Sequence, residues 1–402
     1  MRYRRFGRTG IDMPVISTGG MRYQDGWKDK PLTEVDPAVQ KNLEATIARS
    51  IEVGINHIET ARGYGVSERQ LGTVLPGYPR DELIVQTKIG PEDDPALFTA
   101  NLMESLERLR LDYVDLLAIH GINDDTTLNQ SIREGGCLDA ARELQRKGLC
   151  RHVGFSTHGP LRVILGAIHA DPRDAPSAFD YFNVHWYYIM RRNWPAIEAA
   201  TKLDMGVFII SPTDKGGRLW DPSPDLVELC DPLHPIVFND LWCLQHPEVH
   251  TLSLGSAKPS DYDLHLQAVE RMDRAGELVP PIDEKLKTRM REKTGLDHPE
   301  GMNAGLPDPE DTPGGLNLEV MLWLRHLAVG WGMQAYGKSR FNLLGNGGHW
   351  FPGSPVDKDT KLDIEAVAKA VAGLPHADTI PALVAESQRL LAGEAVKRLS
   401  ES

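Results

Sequence analysis

The chain has 402 residues, 41% hydrophobic and 25% charged, an ordinary globular composition with room for one large domain and an addition. Its net charge of −13 argues against a nucleic-acid partner, because phosphate binding calls for clustered Lys and Arg. MRYRRFGRTGIDMP lacks the apolar run of a secretory signal, no stretch reaches the length of a membrane span, and Cys137, Cys150, Cys230 and Cys243 have no CxxC spacing. The expectation is a cytoplasmic protein with reduced thiols.

Taken in order, YRRFGRTGIDMPVIST reads as a hairpin around a Gly-containing turn. Strands are then predicted over 15–18, 55–59, 83–87, 114–119, 152–155, 181–184, 206–210 and 251–254. Helical patterns lie between most of them. Over 37–53, Val39, Leu43, Ile47 and Ile51 form one apolar stripe, with Asp36 as N-cap, Pro37 at the first helical position and Gly54 as the stop. The segments 97–109 and 137–147 are similarly periodic. Near-continuous apolar strands alternating with helices imply a parallel sheet buried on both faces. Eight such units match an α/β fold of the (β/α)8 TIM-barrel type. An open doubly wound sheet is the second architecture, but no G-x-G-x-x-G follows the first strand.

Two stretches interrupt the rhythm. The Pro-, Asp- and Gly-rich segment 215–240 is expected to be a loop over the active face. Pro280 and Pro281 read as a linker, 306–315 as a loop, and 316–329, 362–372 and 380–399 as helices. The expected organisation is a barrel over 1–275 and a helical C-terminal domain over 276–402.

Glu59 and Tyr64 belong to the second unit, Lys88 ends the third strand and His120 the fourth. In a barrel, C-terminal strand ends converge on one mouth, where residues distant in sequence meet. Alone, each has a plain structural reading: a solvated strand end, a satisfied rim histidine, a hydrogen-bonded phenol. On consecutive units they form a coherent set. A nearby ammonium makes a phenol a usable acid, a carboxylate holds the ammonium, and a histidine orients a carbonyl. The hydride for carbonyl reduction must come from a nicotinamide cofactor, since no side chain can donate one.

The segments GINHIETARGYGVSE, VQTKIG, DYVDLLAIHGIN, RHVGFSTH, VFIISPTDKGG and HPEVHTLSLGSAKPS, in this order over roughly residues 2–275, resemble the aldo-keto reductase superfamily. The resemblance implies a (β/α)8 barrel that binds NADP(H) without a Rossmann motif and reduces aldehydes and ketones. It carries the family's Asp-Tyr-Lys-His tetrad onto Glu59, Tyr64, Lys88 and His120, with Glu59 where the family usually has Asp. It also implies cofactor contacts. Ser156, Thr157 and Asn183 would hold the carboxamide. Ser211, Pro212, Lys215, Gly216 and Gly217 would lie on the pyrophosphate side, and Gly255, Ser256, Lys258 and His265 at the adenosine end. Lys258 suits the 2′-phosphate of NADP, whereas Asp261 would favour NAD.

NAGLPDPEDTPGGLN and YGKSRFNLLGNGGHWFPG resemble the ferredoxin-like extension of a subset of these reductases. No Cys follows Cys243, so no iron–sulfur cluster and no metal is expected. His349 and Trp350 would line the substrate mouth or pack; Arg62 would face substrate or pair with Glu68; Trp186 would stack on a ligand or serve as a rim aromatic. The function expected is hydride transfer between NADP(H), or NAD(H), and a small carbonyl or alcohol substrate. The alternative is a catalytically weak or inactive nicotinamide-binding module that senses redox state. No motif speaks to oligomeric state or to the substrate's identity.

Overall fold

A computed structural model describes residues 1–173, 175–345 and 351–394. Its backbone contacts divide into two compact units. The first comprises Met1–Trp186, Arg192–Lys215 and Asn239–Asp273; the second comprises Tyr187–Arg191, Gly216–Phe238 and Arg274–Ser402.

The first unit is a closed barrel preceded by a hairpin. Strands β1 (Tyr3–Arg5) and β2 (Asp12–Pro14) pair antiparallel, with Arg4 opposite Met13. Eight parallel strands follow: β3 (Ile16–Gly19), β4 (His57–Glu59), β5 (Ile84–Ile89), β6 (Val114–His120), β7 (Cys150–Ser156), β8 (Tyr181–Val184), β9 (Gly206–Ile210) and β10 (Thr251–Leu254). Each pairs with its sequence neighbour, and β10 returns to β3 with Leu252 beside Ile16. The architecture is therefore the (β/α)8 barrel. Its floor is a cluster of Phe6, Met13, Ile84, Leu116, Ala118, Tyr181 and Phe208, so the hairpin's apolar residues are used to plug the N-terminal end. The helix Pro37–Glu52 begins as its sequence dictates. Asp36 accepts a hydrogen bond from Ala38 N at 2.8 Å, and Leu43 and Ile47 are buried.

The second unit is built on the helix Leu318–Gly330, eleven of whose residues are buried. A helix apolar on all sides must be enclosed, and here Ile380–Leu391 packs on it, joined by an Arg325–Glu386 ion pair at 2.9 Å. Two expectations need correction in this region. Pro280 and Pro281 are not a linker: the helix Ala275–Thr294 runs through them. They forfeit two backbone donors, but Val279, Ile282, Leu286 and Met290 make one continuous buried face, and burial outweighs the lost bonds. The segment 215–240 is not all loop either. Ser223 caps Leu226 N at 3.2 Å and Pro224 starts the helix Pro224–Cys230; a second helix starts at Pro235. Ser-Pro before an apolar repeat is a helix start, and composition alone hid it. The helix Gln334–Phe341 was not anticipated.

Candidate active site

The backbone brings Glu59, Tyr64, Lys88 and His120 together. Past the end of β4 the ladder to β5 continues, with Thr60 N donating to Gln86 O at 2.8 Å and Arg62 N to Lys88 O at 3.0 Å. The turn carrying Tyr64 therefore hangs on the strand that carries Lys88. Lys88 Nζ contacts Glu59 Oε1, donates to Thr60 O at 2.9 Å, and lies 3.3 Å from the Tyr64 hydroxyl. His120 ends β6, and its ring meets Tyr64 edge-on with centroids 5.6 Å apart. Trp27 meets the same phenol edge-on at 6.2 Å.

Burial sets the electrostatics. Lys88 is 1% exposed and Glu59 4%. Desolvation draws the lysine well below its ordinary pKa, while the adjacent carboxylate opposes that shift and fixes the ammonium in place. Desolvation also raises Tyr64 above the usual phenol range, so at neutral pH it is a protonated donor. A protonated phenol beside an ammonium can give its proton to a developing alkoxide, and the ammonium then stabilises the phenolate left behind.

Glu59 also accepts from Ser253 Oγ at 2.6 Å through its second oxygen. The room for its length comes from Gly19, where a Cβ would lie 3.3 Å from Glu59 Oε2 and 2.9 Å from Ser253 Oγ. Behind the site, buried Glu68 accepts from Thr87 Oγ1 at 2.6 Å, which ties the helix Ser67–Leu71 to β5. Burial raises the pKa of Glu68. Ser253, Trp27 and Glu68 were missed by the sequence reading. Ser253 was findable as the one polar residue alternating inward between Leu252 and Leu254. Of the two partners expected for Arg62, Glu68 is not the one it pairs with; its ion pair is to Glu104 at 2.5 Å.

Several of the residues expected at the cofactor lie at or just past the ends of β7, β8, β9 and β10. His120, Ser156 and Asn183 are lateral neighbours across β6, β7 and β8. Ser156 Oγ accepts from Gly121 N at 3.1 Å and keeps its proton to donate. The Thr157 hydroxyl donates to Ile122 O at 2.7 Å and accepts from Gly159 N at 3.0 Å, which leaves one lone pair. Asn183 is fully buried, and its Nδ2 has no hydrogen-bond partner among the described residues. An orphaned buried donor costs about 1–3 kcal/mol, and a carboxamide oxygen is the kind of group that would satisfy it.

Ser211 follows β9 with a left-handed φ of 53°, and its carbonyl accepts from Lys215 N at 3.1 Å. Pro212 O accepts from Asn239 Nδ2 at 3.4 Å. The Lys215 ammonium lies 3.3 Å from His158 Nδ1 and 3.4 Å from His185 Nε2. Gly216 and Gly217 belong to the second unit. Beyond β10, Gly255 is exposed and covered in part by Arg22, whose Cδ would lie 2.8 Å from a Cβ there. Ser256 is buried and Lys258 exposed. Asp261 turns its carboxylate to its own backbone, accepting from Ala257 N at 2.8 Å and Lys258 N at 3.3 Å. His265 is buried with Nδ1 against the Asp240 carboxylate. Trp186 is packed, its ring stacked on Trp242 at 4.4 Å and near Trp194 at 5.1 Å. His349 and Trp350 lie outside the described residues. Among the described residues no helix is long and apolar enough to cross a membrane.

Residues 15–219 match the model of the aldo/keto reductase family. Similar proteins include an L-galactose dehydrogenase of Arabidopsis thaliana, 30% identical over 246 residues that cover 56% of this chain and 71% of that protein. An L-glyceraldehyde 3-phosphate reductase of Escherichia coli is 26% identical over 180 residues, 40% of this chain and 47% of its own length. Among solved structures, an aldo-keto reductase from Klebsiella pneumoniae in complex with NADPH matches 70% of this chain and 95% of that one. Its TM-score is 0.55 at 20% identity, a likeness of fold.

Proposed function

The chain belongs to the aldo/keto reductase family, and from that premise we propose that it transfers hydride between NADPH and a small aldehyde or ketone, or the reverse from the alcohol. The observation that carries this reading is the single Lys88 ammonium, in contact with Glu59, Thr60 O and the Tyr64 hydroxyl at once. Tyr64 acts as the proton donor in reduction. Lys88 stabilises the phenolate that results, Glu59 and Ser253 hold Lys88, and His120 orients the carbonyl oxygen toward the phenol. In the oxidative direction the same group, as phenolate, takes the proton from the alcohol.

The nicotinamide, when bound, supplies the hydride. The orphaned Asn183 Nδ2 and the Ser156 hydroxyl suit its carboxamide, with Thr157 contributing its remaining lone pair. Ser211 and Pro212 belong on the diphosphate side, and Gly255, Ser256 and His265 at the adenosine end. Asp261 is directed at its own backbone and exposed Lys258 is a cation that suits a 2′-phosphate, which supports NADPH over NADH.

The test is stopped-flow mixing of the NADPH-loaded protein with a panel of aldehydes and ketones. The expected result is carbonyl-dependent loss of NADPH fluorescence in a single turnover. Tight NADPH binding with no loss against any carbonyl would remove the enzyme and leave a cofactor-binding module.

A further inference from the structure

The turn that carries Tyr64 is fastened at the residues that flank Glu59 and Lys88. Thr60 follows Glu59 at the end of β4, and Thr87 precedes Lys88 within β5. Side chains alternate across a strand, so while Lys88 reaches into the barrel toward Glu59, Thr87 is turned to the outer face. There the Thr87 hydroxyl donates to Glu68 Oε1 at 2.6 Å, and the Thr60 hydroxyl shares a hydrogen bond with Ser67 Oγ at 2.8 Å. Ser67 and Glu68 open the helix Ser67–Leu71, and all of these side chains are buried.

Between Thr60 and Ser67 the chain closes on itself. Tyr64 N donates to Ala61 O, Ser67 N to Tyr64 O and Arg62 N to Lys88 O, each at 3.0 Å. Both backbone polar groups of Tyr64 are thus engaged inside the turn, and its place follows from where the helix start sits on β4 and β5. Glu68 is also backed from outside, with Arg108 Nη1 of the helix Pro95–Leu109 3.7 Å from its Oε2. A carboxylate only 1% exposed is costly to bury unless its oxygens are matched. A hydroxyl-to-carboxylate bond is short and roughly twice as strong as a neutral one, so it fixes a distance where an apolar contact would only fill space. That precision bears on the site. The Tyr64 hydroxyl lies 3.3 Å from Lys88 Nζ, just past the usual hydrogen-bond range, so a shift of a few tenths of an ångström makes or breaks the contact.

We propose that Thr87 and Glu68, with Thr60 and Ser67 as a second fastening, are positioning residues that hold Tyr64 where its phenol meets the Lys88 ammonium. Catalytic residues on the inner face and fastenings on the outer face then share the same two strands, so the distance between phenol and ammonium is set through the barrel wall. The assignment rests on the hydride-transfer reading above.

The experiment is a double-mutant cycle. Thr87→Val keeps the side chain's shape and removes its donor. It is introduced into the parent protein and into Tyr64→Phe, and single-turnover oxidation of bound NADPH is followed at saturating aldehyde, with NADPH affinity from fluorescence titration. Misplacing a reacting group by about 1 Å costs up to a hundredfold, and losing one of two fastenings should cost about tenfold in rate with NADPH affinity unchanged. In Tyr64→Phe the same substitution should cost nothing further, because the group it positions has gone. Glu68→Gln, which still offers Thr87 an oxygen, should keep most of the rate. A parental rate in Thr87→Val overturns the assignment. So does an equal loss in both backgrounds or a parallel loss of NADPH affinity, either of which marks a structural role alone. If Thr87→Val does not fold, Ser67→Ala on the second fastening is read in the same way. If the parent protein reduces no aldehyde, the hydride-transfer reading fails by itself, and the placement of Tyr64 is judged by NMR on protein whose tyrosines carry 13C at Cζ. The Tyr64 resonance, identified by its loss in Tyr64→Phe, should shift in Thr87→Val and stay near its parental position in Glu68→Gln. A resonance unmoved in Thr87→Val sinks the proposal.

Discussion

Replacing Glu59 by Asp, the residue the family pattern carries at this position, tests whether the longer side chain is fitted to its surroundings. The carboxylate reaches two partners, Lys88 Nζ through one oxygen and Ser253 Oγ at 2.6 Å through the other. Shortening the side chain by one C–C bond, about 1.5 Å, takes the Ser253 contact to roughly 4 Å, beyond hydrogen-bonding range. Losing a hydrogen bond to a charged group costs about 1.5–3 kcal/mol. The pocket over Gly19, shaped for the longer carboxylate, is left partly empty. At roughly 2–4 °C per kcal/mol for a domain of this size, the melting temperature should drop by roughly 3–12 °C. Lys88 should also follow the retreating carboxylate, and misplacement by about 1 Å can cost up to a hundredfold in kcat/KM. Thermal unfolding followed by circular dichroism and steady-state NADPH oxidation measure the two effects. An Asp variant that melts no lower than the parent and turns over faster would refute the reasoning, and would make Glu59 a compromise in the site.

Ser253→Ala removes one donor from Glu59 and keeps the carboxylate length. It should destabilise by about 1.5–3 kcal/mol in urea unfolding and lower turnover less than Glu59→Asp does, because Lys88 keeps its partner. Stability should also fall on acidification for a reason confined to the barrel. His250 Nδ1 accepts from Val207 N at 3.0 Å, and burial pushes the imidazole from 6.5 down to about 4. A depressed folded pKa means that below pH 6.5 the unfolded chain takes up a proton the fold refuses, so this group's contribution is whole above 6.5 and lost as pH falls toward 4. The loss amounts to roughly 3 kcal/mol. Melting curves between pH 7 and 4 should therefore slope downward, and His250→Gln, which can still accept from Val207 N, should flatten the slope.

The barrel was legible because its strands are nearly all apolar and its helices periodic, signals that tertiary contacts only reinforce. Even the hairpin announced itself. What stayed hidden had one of two causes. Pro280, Pro281 and the segment after β9 carry local breaker residues whose effect is outweighed by a buried face formed with distant helices. Gly19 and Trp27 matter through contacts across large sequence separations that nothing beside them in the chain marks in advance, and the alternation along β10 marks Ser253 as inward-facing without marking Glu59 as its partner. The His158–His185–Lys215 trio is the extreme case. Its members come from three successive units, and only closing the ladder across β7, β8 and β9 makes them neighbours.

The account turns on Tyr64 as the proton donor, and the most direct measurement is single-turnover oxidation of bound NADPH by an aldehyde in Tyr64→Phe, with NADPH affinity measured on the same preparation. Removing a general acid costs about 10²–10⁴ in rate. The account predicts a loss of that order with cofactor affinity nearly intact, since the ring and its packing on His120 and Trp27 are kept. A hydride-transfer rate equal to that of the parent protein would contradict it.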